Sequence, residues 1–168
     1  MQITLELLKN IGACQFSLRM FEEKCLLRTT NLSDVFKYLD NECKDSWTNW
    51  LFRNLPGNIN ENLAEFKNCK NLTTLDLSNT QISDAGLAHF KNCKNLTTLN
   101  LYNTQISDAG LAHFKDCKNL AYLNLTNTEI SDIGLTNFVE CKNLTHFTLC
   151  GTKVSKIGLS RFRKNLQE

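Results

Sequence analysis

The histidines and cysteines are the residues of this chain that could take part in nucleophilic or metal-dependent chemistry. His89 and His113 occupy the same position in two nearly identical segments, so their recurrence reflects repetition of the chain. His146 and Cys150 lie on one face of a single predicted strand, where a Cys/His pair is worth testing. Four strand residues span about 13 Å, whereas a nucleophile and its base must approach to about 3 Å. The spacing therefore argues against a catalytic pair here.

Four of the eight cysteines recur at one fixed spacing, each directly before Lys-Asn-Leu: Cys69, Cys93, Cys117 and Cys141. Free cysteine behaves as a small apolar group in protein cores, and this column offers no C-x-x-C pair for a tetrahedral metal site. The chain also lacks a Gly-rich phosphate loop, an H-E-x-x-H motif and a spaced carboxylate pair. We predict a non-catalytic protein that uses no metal and no cofactor, with the cysteine column in its core.

These spacings come from an internal repeat. Lys67–Phe90 and Lys91–Phe114 differ at only two of 24 positions, and further copies span Lys115–Phe138 and Val139–Phe162. The copies share the pattern L-x-x-L-x-L, then a threonine and I-S-D-x-G-L-x-x-F, with substitutions in the fourth copy. A fixed period in the twenties indicates a solenoid, in which each coil completes the core of its neighbours.

One repeat contains the signals for a short strand, a turn and a short helix. Leu75 and Leu77 alternate with polar residues, so the leucines face the core side of a strand. Ser83 is placed to cap the N–H groups of a helix, and Asp84 meets the positive end of the helix dipole. The recurring glycines indicate close approach of the backbone to a neighbouring coil: Gly86, Gly110, Gly134 and Gly158.

From about residue 67 onward the chain resembles bacterial leucine-rich repeats that read T-x-I-S/T-D-x-G-L. Threonine stands where many such repeats carry Asn or Cys, at Thr80, Thr104, Thr128 and Thr152. The resemblance implies an α/β leucine-rich repeat solenoid, with short parallel strands inside and short helices outside. The repeat domain would span residues 57–168, with a degenerate first unit, four repeats and a short C-terminal tail. A scaffold of this kind hosts many activities, so the resemblance leaves the function open.

Residues 1–56 follow a different pattern and are predicted to form an all-helical N-terminal cap. Apolar residues fall three or four positions apart from Leu5 onward, as on an amphipathic helix. Thr30 or a nearby serine could open a further helix, and another would carry Trp47 and Trp50. Because the first coil of a solenoid needs a cover, we expect both tryptophans to bury against it.

Leu32–Asp40 supports an alternative for this N-terminal region. This segment is superficially similar to the start of an F-box, which would make the chain a ubiquitin-ligase adaptor with substrate-binding repeats. The similarity ends soon afterwards, because the usual Leu-Pro opening is absent and Trp47 and Trp50 lie too close to the Leu-Asp pair. Interaction module and F-box-like adaptor therefore stand as the two binding hypotheses.

Composition narrows the setting in which the chain works. It has 168 residues, 42% of them hydrophobic, and a net charge of +2, which does not indicate nucleic acid or a membrane as the partner. Met1–Lys9 contains Glu6 and no long apolar run, so we expect no signal peptide and no membrane-spanning segment. The expected location is the cytoplasm of a bacterium.

The outward positions of the predicted strands vary between copies while the core positions scarcely change. Tyr102 and Tyr122 offer large, rigid surfaces of the kind that anchor protein interfaces. We predict a partner-binding face formed by Thr74, Asp76, Thr98, Asn100, Tyr102, Tyr122, Asn124, Thr126, His146 and Thr148. The alternative is that these positions vary freely because nothing constrains them.

The predicted face is small. Four strands about 4.8 Å apart and about 16 Å long present roughly 300 Å², whereas a standard interface uses about 800 Å² per partner. We expect a weak contact, or a tighter one that also uses the N-terminal helices and loops, or self-association through the C-terminal edge. The chain would then be a monomer or weak homo-oligomer that binds a protein, for example as a bacterial immunity or regulatory protein.

The C-terminal end of the repeats is basic. Lys153, Lys156, Arg161, Arg163 and Lys164 cluster there. The column of aspartates at the start of the predicted helices changes sign in the last copy, where Lys156 stands. Two interpretations remain open: a solvated cap that keeps the last edge of the sheet soluble, or a patch for an acidic partner.

Overall fold

The computed structural model describes residues 2–4 and 29–31, residues 54, 60, 63 and 70, and residues 72–167. The repeats form one parallel sheet of four strands, which lie side by side in the order of the chain. Its strands are β3 (Thr74–Asp76), β4 (Thr98–Asn100), β5 (Tyr122–Asn124) and β6 (His146–Thr148). Paired residues of adjacent strands are 24 positions apart, as Leu75 and Leu99 are. The sequence period is therefore the period of the sheet.

A short helix follows each strand on the other side of the core. These helices are α1 (Asp84–Leu87), α2 (Asp108–Leu111), α3 (Asp132–Leu135) and α4 (Lys156–Gln167). The first three continue directly into single 3₁₀ turns that end at Phe90, Phe114 and Phe138. This arrangement confirms the predicted α/β solenoid of short parallel strands inside and short helices outside.

The N-terminal region contains two strands, β1 (Gln2–Thr4) and β2 (Thr29–Asn31), which pair antiparallel. The prediction of an all-helical region does not hold for these six residues, and Thr30 lies in a strand where a helix start was expected. β-branched residues such as Ile3 and Thr30 favour the pleated conformation. The expected helix with Trp47 and Trp50, and the F-box-like segment Leu32–Asp40, lie outside the described residues.

The core is a stack of identical layers. Leu75, Leu77, Leu87 and Phe90 are each fully buried, and the same positions of the next two coils are buried in turn. Leu63 also belongs to this core, one period before Leu87. Burial of each leucine or phenylalanine side chain is worth about 1.5–3 kcal/mol. Because adjacent layers share these contacts, the coils depend on one another for stability.

The cysteine column lies in this core, as predicted, for the members that the structure describes. Cys93, Cys117 and Cys141 are buried, while Cys69 lies outside the described residues. The thiols of Cys117 and Cys141 each donate to the backbone carbonyl of the preceding column member, at 3.3 Å. Burial raises the pKa of Cys117 to about 12 and that of Cys141 to about 11. These thiols are therefore neutral core groups.

Aspartate and serine connect successive coils along the outer side. Ser83 caps α1 as predicted, because its hydroxyl accepts a hydrogen bond from the N–H of Gly86. Asp84 does more than meet the helix dipole, since its carboxylate accepts from the N–H and the hydroxyl of Ser107 in the next coil. Asn60 has the same role one coil earlier, because its side-chain oxygen accepts from the N–H and the hydroxyl of Ser83. The result is a ladder of side-chain hydrogen bonds between coils.

The glycine column makes room for that ladder. A Cβ built on Gly110 would collide with the carboxylate of Asp84 and crowd the side chain of Ile106. The prediction of a close approach at these glycines is confirmed, although the approaching group is a side chain of the preceding coil and not its backbone. Gly110 and Asp84 therefore form one structural unit across two coils.

Asparagines form the corner after each of the strands β3, β4 and β5. Asn79, Asn103 and Asn127 adopt left-handed backbone conformations, with φ of 57°, 53° and 55°, and Gly151 takes this position in the last coil. Asparagine tolerates this conformation better than most residues. The threonine that follows each of these residues donates its hydroxyl to a backbone carbonyl, as Thr104 does to Leu101 at 2.7 Å. This bond explains why threonine suits the position.

The last coil differs from the others because α4 is longer. The residues after Phe162, predicted as a short tail, continue this helix to Gln167. Phe162 is buried and meets the ring of Phe147 edge to face, with centroids 5.3 Å apart. The guanidinium of Arg163 lies 5.9 Å from the centre of the Phe147 ring. Helix α4 thus covers the C-terminal end of the described core.

Candidate protein-binding face

The predicted face residues fall into three columns across the sheet. Strand pairing aligns Thr74, Thr98, Tyr122 and His146 in one column, and Asp76, Asn100, Asn124 and Thr148 in the second. The third column, just beyond the strand ends, contains Tyr102 and Thr126 between Ser78 and Cys150. All ten predicted residues therefore belong to one continuous surface, the strand face.

Exposure on the strand face rises toward the C-terminal coil. Thr74 and Thr98 are half-buried, whereas Tyr122 is 39% exposed and His146 is exposed. The third column changes in the same direction, from buried Ser78 through half-buried Tyr102 to exposed Cys150. The part of the face that a partner could reach most easily is therefore its C-terminal half.

The polar residues of the second column are partly used by the fold. Asn100 and Asn124 each accept a hydrogen bond, through the side-chain oxygen, from the backbone N–H two residues later. Asp76 does the same with Ser78. Such Asx turns fix the chain as it leaves each strand. Sequence reasoning missed this role, although the repeated Asp or Asn two residues before the third column was a visible signal.

Asn124 is held from two sides, because its side-chain oxygen also accepts a hydrogen bond from the hydroxyl of Thr148 at 2.7 Å. The amide nitrogens of Asn100 and Asn124 have no hydrogen-bond partner within residues 72–167. Each could donate to a partner without breaking the Asx turn. The second column therefore combines a fixed side-chain orientation with available donors, which lowers the entropy cost of binding.

The aromatic residues are the main apolar features of the face. Tyr102 is half-buried and lies two residues after β4, and its backbone carbonyl accepts a hydrogen bond from the N–H of Asn79 in the preceding coil. Tyr122 lies in β5, one strand closer to the C-terminal end. The alternation of strand side chains puts both rings on the same side of the sheet. Two tyrosines on adjacent coils are a suitable anchor for another protein.

His146 and Cys150 are both exposed on the last coil. The Nδ1 atom of His146 lies 2.9 Å from the hydroxyl of its neighbour Thr145. In the described part of the chain, no group of three or more His, Cys, Asp or Glu side chains is arranged to hold a metal ion. What the strand face offers is hydroxyl, amide and aromatic groups for recognition.

Cys93, Cys117, Cys141 and Cys150 are free thiols. Over the residues that the structure describes, no helix combines the length and the apolar character needed to cross a membrane.

Comparison with known proteins identifies related repeats. The family described as BspA type leucine rich repeat region (6 copies) matches residues 54–167. Comparison with curated proteins gives no match. Among solved structures, an internalin from Listeria monocytogenes is 28% identical, with a TM-score of 0.51. The similarity covers 61% of this chain and 29% of the internalin chain.

Proposed function

Because this chain belongs to the BspA-type leucine-rich repeat family, we propose that it is a non-catalytic module that binds a protein partner through its strand face. The observation that carries the proposal is the arrangement of Tyr102 and Tyr122 on adjacent coils of that face, next to oriented amide groups. Aromatic side chains on a rigid scaffold are a common feature of protein interfaces. The structural similarity to the internalin supports the repeat scaffold and gives no information about the partner.

The size of the sheet limits what the strand face can do alone. Four strands of three residues give a much smaller surface than a standard protein interface requires. We therefore propose that the N-terminal region contributes further contacts to a tight complex, whereas the strand face alone would give a weak one. A role as a bacterial immunity or regulatory protein in the cytoplasm suits a small repeat domain.

A matched pair of double variants tests the proposal. The face variant is Tyr102→Ala/Tyr122→Ala, and the control is His89→Ala/His113→Ala, which changes ring-bearing residues on the outer side of the solenoid. Affinity capture from the native host, followed by quantitative mass spectrometry, should recover a protein with the wild type and the control. The face variant should lose most of it. A partner retained equally by all three proteins would contradict binding through this face.

A further inference from the structure

The last strand of the sheet, β6, leaves unused the backbone groups that join the earlier coils. In the second coil, Leu101 and Asn103 donate their N–H groups to carbonyls of the following coil, each at 2.9 Å. The equivalent residues of the last coil are Leu149 and Gly151. Neither N–H group has a hydrogen-bond partner anywhere in residues 72–167. Two donors therefore point toward the position of a fifth strand.

A backbone carbonyl group at the same edge of the sheet is also unused. The carbonyl of Ala121 accepts hydrogen bonds from the N–H groups of Thr145 and His146, at 3.2 and 3.1 Å. The equivalent carbonyl of the last coil belongs to Thr145, and it accepts no bond from the described part of the chain. Unpaired groups at the edge of a sheet are a template for another strand.

The pattern fixes the register of that strand. It would run parallel to β6, and the N–H groups of its first two residues would donate hydrogen bonds to the backbone carbonyl of Thr145. Its fourth and sixth carbonyls would accept from Leu149 and Gly151, as the corresponding carbonyls of each coil do for the coil before it. A segment of six residues is therefore required, and its third and fifth side chains would face the core.

Two apolar side chains beside the open edge are incompletely buried. Phe147 and Leu149 are half-buried, whereas their counterparts in the preceding coil, Leu123 and Leu125, are fully buried. Helix α4 covers the ring of Phe147 through Phe162 without bonding to the outward backbone groups of β6. Apolar residues at the third and fifth positions of the segment would complete the burial.

Charge indicates the chemistry of the occupant. Residues 72–140 contain seven acidic and four basic side chains, whereas residues 141–167 contain six basic and no acidic ones. Arg163 lies against Phe147 beside the open edge. Lys153 is paired with Glu129 of the preceding coil, while Lys156 and Arg161 are exposed. Such a concentration of positive charge attracts an acidic partner.

The ladder of aspartates also ends here, which argues against another copy of the same repeat. In the preceding coil, Asp132 accepts from the N–H and the hydroxyl of Ser155, both at 2.7 Å. Lys156 follows Ser155 where every earlier described coil has an aspartate or Asn60. A further identical coil would bring serine donors to an ammonium group, which cannot accept them.

We propose that the open edge of β6 binds an acidic, extended segment of a partner protein as a fifth parallel strand. The segment has apolar residues at its third and fifth positions and acidic residues around them. This site is separate from the strand face and does not depend on the function proposed above.

A peptide probe tests the chemistry of this site. The probe is fluorescein-EETTLNLYEE, which places the strand residues of the second repeat between glutamates. Its controls are QQTTLNLYQQ and the reordered EELTNTYLEE. By fluorescence anisotropy at about 0.15 M salt, the acidic probe should bind about tenfold more tightly than either control. Equal binding of all three peptides would overturn the proposal.

Protein variants locate the binding. Arg163→Glu, which reverses the charge that lies against Phe147, should weaken it about tenfold, whereas Lys115→Glu, with the same change in net charge on an earlier coil, should retain it. Equal loss with both variants would indicate diffuse attraction and overturn the site. Leu149→Pro removes one outward N–H at an edge that tolerates proline, and it should weaken binding in a chain that remains folded by circular dichroism.

Two measurements on the unmodified chain keep the proposal falsifiable if a variant fails to fold. In hydrogen exchange followed by NMR, the probe should slow exchange of the Leu149 and Gly151 amides and leave those of Leu101 and Asn103 unchanged. Binding without this protection would contradict strand addition. Sedimentation equilibrium should show no concentration-dependent dimer, and a dimer that the probe does not dissociate would identify a second copy as the occupant.

Discussion

Asp108 binds Ser131 of the next coil twice, through the serine N–H at 2.8 Å and the hydroxyl at 2.5 Å. The same pair of bonds joins Asp132 to Ser155, and these bonds hold the pKa of the Asp132 carboxyl below its ordinary value. Charged acceptors make stronger hydrogen bonds than neutral ones. At the residue scale, the solenoid is therefore held together by recurrent polar bonds as well as by its leucines.

Removing one of these carboxylates should measurably lower the stability of the folded protein. Asp108→Ala is expected to lower the free energy of unfolding by about 1–3 kcal/mol, because it removes two charge-assisted hydrogen bonds. Asp108→Asn should cost less, since Asn60 shows that an amide oxygen can accept from a serine here. Urea denaturation measures both. Asp116→Ala, which breaks an exposed ion pair with Lys94, should cost at most about 1 kcal/mol, and an equal loss would contradict the ladder.

The four described cysteines should differ sharply in reactivity. Cys150 is exposed, whereas Cys93, Cys117 and Cys141 are buried. Alkylation requires an accessible thiolate. Iodoacetamide at neutral pH, followed by peptide mass spectrometry, should modify Cys150 first and the other three only after denaturation. Rapid modification of Cys117 in the folded chain would contradict its place in the core.

The buried thiols also predict a loss of stability in alkali. Burial raises the pKa of Cys117 from 9.0 to about 12 and that of Cys141 to about 11. Their contribution to stability is fully present below about pH 9, and it falls above that pH because the unfolded chain releases these protons first. The melting temperature should drop between about pH 9 and 11. Cys117→Ala/Cys141→Ala should flatten the decline, and an unchanged slope would contradict the assignment.

At the scale of elements, each outer helix depends on the coil before it. Helix α2 begins after the cap Ser107, and its Gly110 lies against Asp84, which itself bonds to Ser107. Glycine normally weakens a helix by about 1 kcal/mol relative to alanine. Here the lack of a side chain allows two coils to approach, so the usual preference is reversed.

Gly110→Ala should therefore destabilise the protein in spite of the better helix propensity of alanine. The added methyl group would displace the Asp84 carboxylate, at an expected cost of about 1–3 kcal/mol in chemical denaturation. In an Asp84→Ala background the same substitution should cost clearly less, because the colliding group is gone. A double-mutant cycle measures this coupling. Additive effects would show that the contact does not determine the choice of glycine.

At the scale of the whole molecule, stability is the sum of coils that contact only their neighbours. The C-terminal coil has a neighbour on one side, and Phe162 of α4 covers its other side through Phe147. The central coils have neighbours on both sides. The open end should therefore be the first described part of the solenoid to lose its structure.

Phe162→Ala should loosen the last coil before the others. Loss of a buried phenylalanine costs about 3–5 kcal/mol, and in a linear repeat this cost falls on the coil concerned. Hydrogen exchange should accelerate at the amides of β6 and much less at those of β3. Phe138→Ala, in the preceding coil, should accelerate hydrogen exchange in the coils on both sides of it. Uniform acceleration in the Phe162 variant would indicate a single cooperative unit instead.

Sequence periodicity alone determined the repeat, the direction of its side chains and the membership of the strand face. Leu75 and Leu77 had to enter the core because their side chains alternate with polar ones. The columns containing Tyr102 and Tyr122 followed from the same alternation and the fixed period. Such features depend on residues close together in the chain, where local geometry leaves few options.

Tertiary structure decided how the coils meet. The contact of Asp84 with Ser107 spans 23 residues, and no local rule distinguishes it from the helix-dipole role expected for Asp84. The rise in exposure toward His146 also depends on what lies on either side of each coil. The paired strands β1 and β2 are joined across 24 intervening residues. Spacing in sequence determines which face a side chain occupies, whereas its partners depend on the distance and angle between stacked coils.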